Sequence, residues 1–419
     1  MVKKSSMHYF SYKHGELYAE GIPLAELAAK FGTPLYVYSA KTLRRHFTAY
    51  EKAFGAVPHI ICFAMKANSN SGVLSALAHE GSGADIVSGG ELFRALKAGI
   101  PAGKIVYAGV GKTEDEIKLA LKNRILMFNV ESADELEEID RVAGLMRVKA
   151  PVALRVNPDV DPRTHPYIST GMKKYKFCIP LKEALPAYEA AARMKNINVV
   201  GIQKHIGSQL TELEPFKDSL NRLLALLDLL EGRGMKLKYL DIGGGLGIRY
   251  TEDENPPAPA ELAKVVLPLI KGRDVTLIVE PGRSIVGNAG VLVTKCLYRK
   301  SSGVKDFVIV DAGMNDLVRP SLYGAHHDIL PVRKAKRPLE KVDVVGPVCE
   351  SGDFLARDRQ LPATARGELL AVMSAGAYGF TMGSNYNSRP RPAEVLVDGD
   401  ECRLVRKRET YRDLTRGEM

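Results

Sequence analysis

From residue 59 to residue 282 the chain repeats one unit: a short apolar, often β-branched run, a small or polar residue where the run stops, then a stretch with helical spacing. The runs are HIICFAMK (59–66), GADIVS (83–88), KIVYAG (104–109), ILMFNV (125–130), PVALRVN (151–157), NVVGIQKH (198–205), KYLDIGGG (238–245) and TLIVEPG (276–282), eight in all. Between them lie helix-period stretches such as SGGELFRALKAG, ESADELEEIDRVAGLM and EPFKDSLNRLLALLDLLEG. Strand, helix and strand in alternation imply parallel neighbours joined by right-handed crossovers. Eight such units closing on themselves make an α/β TIM barrel; a doubly wound open sheet is the alternative for the same alternation.

The rhythm changes after about residue 286. VLVTKCLYRK, DFVIVDAG, KVDVVGPV, LLAVMSAGAYG and AEVLVDG read as strands without long helices between them. Near the other end, HYFSYKHGELYAEG alternates like a hairpin with its turn at His14-Gly15. A length of 419 residues exceeds one ordinary domain. The expected division is an N-terminal segment (1–35) that completes the β domain, a barrel (36–285), and a C-terminal all-β, sandwich-like domain (286–419). The Pro-rich EDENPPAPAEL reads as a loop before the last barrel helix.

Composition narrows the class. Five cysteines, odd in number and scattered, form no CxxC pair, which speaks against a disulfide framework or a zinc site and for a reducing compartment. MVKKSSMHYF has no apolar segment after its lysines, and no apolar run reaches membrane-spanning length, so a cytoplasmic protein is expected. The net charge of +10 invites a nucleic-acid reading. However, the basic stretches PVRKAKRPLEK and CRLVRKRETYRDLTRGEM are interleaved with acids and carry no aromatic-interleaved binding motif. Neither nucleic acid nor membrane is expected as a partner.

TIM barrels gather their active sites at the C-terminal strand ends. There the first run ends in Lys66, the second carries Asp85, the sixth leads to His205 and Ser208, the seventh to Gly243, Gly244 and Gly245, and the eighth to Glu280, Gly282 and Arg283. Each alone has a plain reading: a solvated strand-end lysine, a tight glycine turn, a structural histidine, a Glu–Arg pair. Together they suit pyridoxal 5'-phosphate. An amine forms the Schiff base, glycine backbone cradles the phosphate, and a carboxylate keeps the pyridine nitrogen protonated. A flat imidazole covers the ring.

Nine stretches in order carry a resemblance across nearly the whole chain: FAMKAN, GADIVSGGEL, THPYISTG, HIGSQ, DIGGGLGI, EPGRS, MNDLVRPSLYG, CESGD and GAYG. The chain resembles the fold-type III pyridoxal-phosphate decarboxylases, and among them the diaminopimelate decarboxylase family. The resemblance implies a homodimer with active sites shared across the interface. It implies decarboxylation of meso-2,6-diaminopimelate at its D-centre to L-lysine. By the same resemblance Lys66 holds the cofactor, Glu280 meets the ring nitrogen and His205 stacks on the ring. Ser208, Gly243–Gly245, Gly282, Arg283 and Tyr378 surround the phosphate or the substrate pocket, and Asp85 lies near the Schiff base or His205. Cys349, reaching over from the other subunit, is the proton donor, and Glu350 binds the distal ammonium. Arg283, Arg319 and Tyr323 clamp the distal carboxylate, as a planar guanidinium is suited to do. No metal is implied, and THPYISTG suggests no more than a loop near the barrel mouth.

Rival readings use the same residues. A sister decarboxylase for ornithine, arginine, lysine or a carboxylated polyamine would leave an arginine clamp without a partner. A non-enzymatic homologue would have lost Lys66 or Cys349, and a racemase of related fold would lack the Cys-Glu-Ser stretch.

Overall fold

The computed structural model describes residues 7–161, 177–251 and 253–419. THPYISTG, and most of the 160–175 loop, lies outside these residues. The chain divides into two compact units. One comprises His46–Ile248 and Asn255–Ser284; the other holds the described parts of Met1–Arg45, Arg249–Glu254 and Ile285–Met419.

The first unit is a closed barrel of eight parallel strands. They are β1 (His59–Ala64), β2 (Gly83–Ile86), β3 (Ile105–Tyr107), β4 (Met127–Val130), β5 (Ala150–Asn157), β6 (Ile197–Gln203), β7 (Tyr239–Asp241) and β8 (Thr276–Val279). Each pairs with its successor, and β8 pairs with β1, so no edge is left open. The open-sheet alternative falls with that last pairing. Cys62, Val106, Met127, Ala153 and Ile278, contributed by five of the strands, form one fully buried cluster. The helices begin where a side chain satisfies their first free N–H groups. Ser88, Thr113 and Ser132 accept from Glu91, Glu116 and Glu135 N–H respectively.

The strands stop earlier than their apolar composition suggests. β1 ends at Ala64, and Lys66 sits in a 3-10 turn, Met65–Ala67. β7 ends at Asp241 because Gly243 and Gly245 take φ of +70° and +115°, outside the strand region. β6 ends at Gln203, before His205, and β8 ends at Val279, just before Glu280 and Pro281.

The second unit is a sheet domain. Phe10–Lys13 and Glu16–Ala19 form the expected hairpin, with His14 and Gly15 both at positive φ, as a two-residue turn of matching twist requires. A larger sheet runs in the order Phe354–Pro362, Leu339–Val345, Asp306–Val310, Gly290–Ser301, Leu35–Ser39, Ala393–Asp398 and Glu401–Arg406. Leu369–Val372 adds to Gly290–Ser301, and Ile329–Pro331 adds to Leu369–Val372. The core of this unit joins the hairpin to the sheet, through Phe10, Leu17, Val37, Val293 and Val395 among others.

One contact ties a helix to the strands that carry the site. Tyr188, on the helix Leu181–Arg193, is fully buried, and its hydroxyl donates to the Gly201 carbonyl at 3.0 Å. Gly201 adjoins the register shift where β6 pairs with β5. Replacing Tyr188 with Phe removes that donor and is expected to cost about 1 kcal/mol, read as a lower midpoint in urea with an unchanged slope.

Candidate active site

The C-terminal end of the barrel encloses a polar layer. Lys66 Nζ lies 3.0 Å from Asp85 Oδ2; the lysine side chain is 38% exposed and the aspartate 1%. Two neighbouring turns set the position of this lysine. The Ala64 N–H donates to Pro281 O, while Asp85 stands opposite Ala64 in the β1–β2 ladder. A Cβ on Gly282 would stand 3.1 Å from both Ala64 Cβ and Ala67 Cβ, so the turn after β8 packs closely on the Lys66 turn.

Across the barrel lie two further buried carboxylates, Asp241 and Glu280. Asn129 Nδ2 donates to Asp241 Oδ2 and to Glu280 Oε1, both at 3.2 Å, and Gln203 Nε2 donates to Glu280 Oε2 at 3.3 Å. Burial, then the Asp241 and Asp85 charges, push Glu280 well above the usual carboxylate range. Burial likewise raises Asp241 to about 7. Asp85 Oδ1 is buried without a hydrogen-bond partner among the described residues. The cluster therefore favours a cationic or proton-bearing neighbour.

Arg155 completes the layer from β5. It is buried and paired with Glu131 at 3.0 Å, and it is one of the charges acting on His205 and Glu280. His205 is half-buried, and its Nδ1 accepts from the Gly244 N–H at 3.2 Å. Enclosure, followed by Arg155, Lys66 and Lys204, holds its imidazole well below the ordinary histidine range. The ring is thus neutral, with its proton on Nε2.

The three glycines after β7 are demanded by backbone packing. A Cβ would stand 2.5 Å from Lys204 O at Gly243, 2.0 Å from Glu280 O at Gly244 and 2.4 Å from Gly207 O at Gly245. The turn is wedged between the ends of β6 and β8, which no side chain permits. Arg283 is buried beside it, with Nε and Nη2 3.3 and 3.2 Å from Ser208 Oγ.

The sheet domain carries the other expected residues. Arg319 is buried at the start of the short helix Arg319–Tyr323, and Tyr323 is half-buried at its end. Tyr378 has φ +55°, unusual for a non-glycine residue. It is flanked by Gly376 and Gly379, whose Cβ atoms would stand 2.0 Å from Val286 O and 2.4 Å from Ala375 O. Cys349 and Glu350 are exposed on a turn. That turn is pinned by Asp353, whose Oδ1 accepts from Met314 N–H and Oδ2 from Val348 N–H.

In the barrel, then, Lys66, Asp85, His205, Ser208, Gly243–Gly245, Glu280, Gly282 and Arg283 come together at one end; Arg319, Tyr323, Cys349, Glu350 and Tyr378 belong to the sheet domain. The sequence reading missed Asn129, Arg155, Gln203 and Asp241. Their signal is the one that exposed Lys66: a polar residue interrupting an apolar run near its C-terminal end.

The chain is similar to known proteins over nearly its whole length. The family model for the pyridoxal-dependent decarboxylase, pyridoxal-binding domain, matches residues 40–287. A diaminopimelate decarboxylase of Pseudomonas aeruginosa is 55% identical over 98% of this chain and 99% of its own. One from Aquifex aeolicus is 53% identical over 96% of each. Among solved structures, diaminopimelate decarboxylase of Helicobacter pylori complexed with L-lysine superposes with a TM-score of 0.91, at 45% identity over 94% of this chain and 98% of that one.

The raised carboxylates set a pH dependence. Between 3.8 and about 7, Asp241 holds a proton in the folded chain and not in the unfolded one, and Glu91 and Asp316 are raised by burial to about 7 as well. Their contribution to stability is complete below the unfolded values and lost as pH rises through 7. The cofactor-free protein is expected to melt at a lower temperature at pH 8 than at pH 5.5, with a shallower fall in Asp241→Asn; scanning fluorimetry across that range checks both.

Proposed function

The chain belongs to the pyridoxal-dependent decarboxylases and, among them, to the diaminopimelate decarboxylases, and we propose that Lys66 holds the cofactor while Cys349 delivers the proton that completes the reaction. The protein is a carboxy-lyase that depends on pyridoxal 5'-phosphate. It converts meso-2,6-diaminopimelate, at the D-centre, to L-lysine and carbon dioxide, the last step of lysine biosynthesis.

The observation that carries the residue roles is the Lys66 amine 3.0 Å from Asp85, in a layer where Asp241 and Glu280 are also buried. The residues fit the cofactor on two grounds. Asp85 Oδ1 lacks a partner among the described residues, and the carboxylate pair beside Asn129 favours a protonated ring nitrogen. Lys66 would hold the group through its amine, Glu280 would meet the ring nitrogen, and neutral His205 would lie on the ring face. Ser208, Gly243–Gly245, Gly282, Arg283 and Tyr378 would surround the phosphate and the adjoining pocket. When bound, the group supplies a sink for the electron pair left on carbon as carbon dioxide departs.

The protein's own groups do the rest. Asp85 keeps the Lys66 amine in place. Arg283, Arg319 and Tyr323 take the substrate's distal carboxylate and Glu350 its distal ammonium, so only a molecule with amino-acid groups at both ends satisfies all of them. Cys349 then transfers its thiol proton to the carbon. Its exposed turn, with Glu350 beside it, suits a residue that serves a second copy, and this supports a homodimer with shared sites. Among the described residues no helix is long and apolar enough to cross a membrane. A free thiol at Cys349 fits work in the reducing cytoplasm.

Steady-state assays with meso-diaminopimelate, L-ornithine and L-lysine test the specificity. Turnover of the first alone is expected; turnover of the other two alone overturns it. Cys349→Ala is expected to lower kcat by about a hundredfold or more, with KM within a few-fold of the unchanged protein. An unchanged kcat would remove Cys349 from the role.

A further inference from the structure

One contact behind Arg319 lies a buried imidazole with no part in the roles above. His327 is fully enclosed, with Nε2 2.8 Å from Arg319 Nη1 and Nδ1 2.8 Å from the Met373 carbonyl. A carbonyl can only accept, so Nδ1 carries the ring proton and Nε2 accepts from the guanidinium. Tyr250 covers both groups. Its ring meets the imidazole edge-on at 5.4 Å and 80°, and the guanidinium carbon stands 4.9 Å from its centroid. Backbone pairing fixes the imidazole in turn. Ile329 stands opposite Val372, and the Met373 N–H donates to Asp328 O at 2.8 Å. The acceptor aimed at Arg319 is therefore anchored to a strand pair.

We propose that His327 is the positioning residue of the carboxylate clamp: it fixes the Arg319 guanidinium in the orientation that receives the distal carboxylate, and so sets the preference for ligands that carry one. The proposal rests on the reading of Arg319 as part of that clamp. An arginine side chain has many rotamers, and a guanidinium grips a carboxylate in two bonds only when its plane is already set. A neutral imidazole whose proton is committed to Met373 is suited to this, because it offers a fixed lone pair and no competing charge. Packing alone would need the ring and not its protonation pattern.

Holoenzyme variants separate the two. His327→Phe keeps a ring against Tyr250 and removes both hydrogen bonds; His327→Gln retains an acceptor near the Nε2 position; Arg319→Gln is the reference. The measurements are kcat and KM for meso-diaminopimelate, and inhibition by L-lysine, which keeps a carboxylate, and by 1,5-diaminopentane, which has none. His327→Phe is expected to raise KM and the L-lysine inhibition constant about tenfold or more, with kcat within about threefold. Inhibition by 1,5-diaminopentane stays unchanged, and His327→Gln recovers most of the loss. Equal weakening of both inhibitors, a fall in kcat alone, or no change overturns the proposal. If Arg319→Gln leaves L-lysine inhibition unchanged, the clamp reading itself fails, an outcome distinct from failure at His327 alone. Should His327→Phe not fold, as judged by its melting curve, His327→Asn decides. Its shorter amide keeps a donor near the Nδ1 position facing the Met373 carbonyl and loses the acceptor at Nε2, so a selective weakening of L-lysine supports the proposal, while wild-type values overturn it.

Discussion

Three buried carboxylates at one end of a closed barrel are the constraint on which the rest depends. Asp85, Asp241 and Glu280 have been taken out of water, which is unfavourable for a charged group unless a partner replaces the lost solvation. Lys66 answers one of them, and two side-chain amides, Asn129 and Gln203, answer the others. Amides orient a carboxylate without neutralising it. The layer therefore retains an affinity for a cation or a proton. The glycine turns serve the same end. Gly243–Gly245 and Gly282 let the strand ends pack backbone to backbone, so the charged groups converge from five strands and their turns rather than lining a wide mouth.

The two units contribute different physics. The barrel supplies burial and fixed charge, which govern protonation. The sheet domain supplies directional contacts. Its arginine is buried against an imidazole and a phenol ring, and Tyr378, just before Gly379, takes φ +55°. Strain of this kind persists only where the surroundings over-determine it.

The barrel was legible because its parallel strands are buried on both faces and read as nearly continuous apolar runs. Lys66 stood out for interrupting one. Strand ends were read too far, since composition does not mark where ladder hydrogen bonds stop; Lys66 belongs to a 3-10 turn, and positive φ at Gly243 ends β7. Asn129, Arg155, Gln203 and Asp241 escaped notice because their partners lie on other strands, and only closure brings them together. Asn129 and Glu280 are 151 residues apart. Leu35–Ser39 was missed because it stands alone before the repeating units, and its sheet partners, Gly290–Ser301 and Ala393–Asp398, lie far along the chain. His327 was invisible for lack of a motif, its meaning residing in contacts 8 and 46 residues away.

The account stands on the covalent role of one amine. Borohydride reduction of the cofactor-loaded protein, followed by mass mapping of its peptides, tests that role directly. The account predicts loss of the visible absorbance and a reduced pyridoxyl group on Lys66. A label on any other lysine, or a wild-type protein that takes up no label, contradicts it.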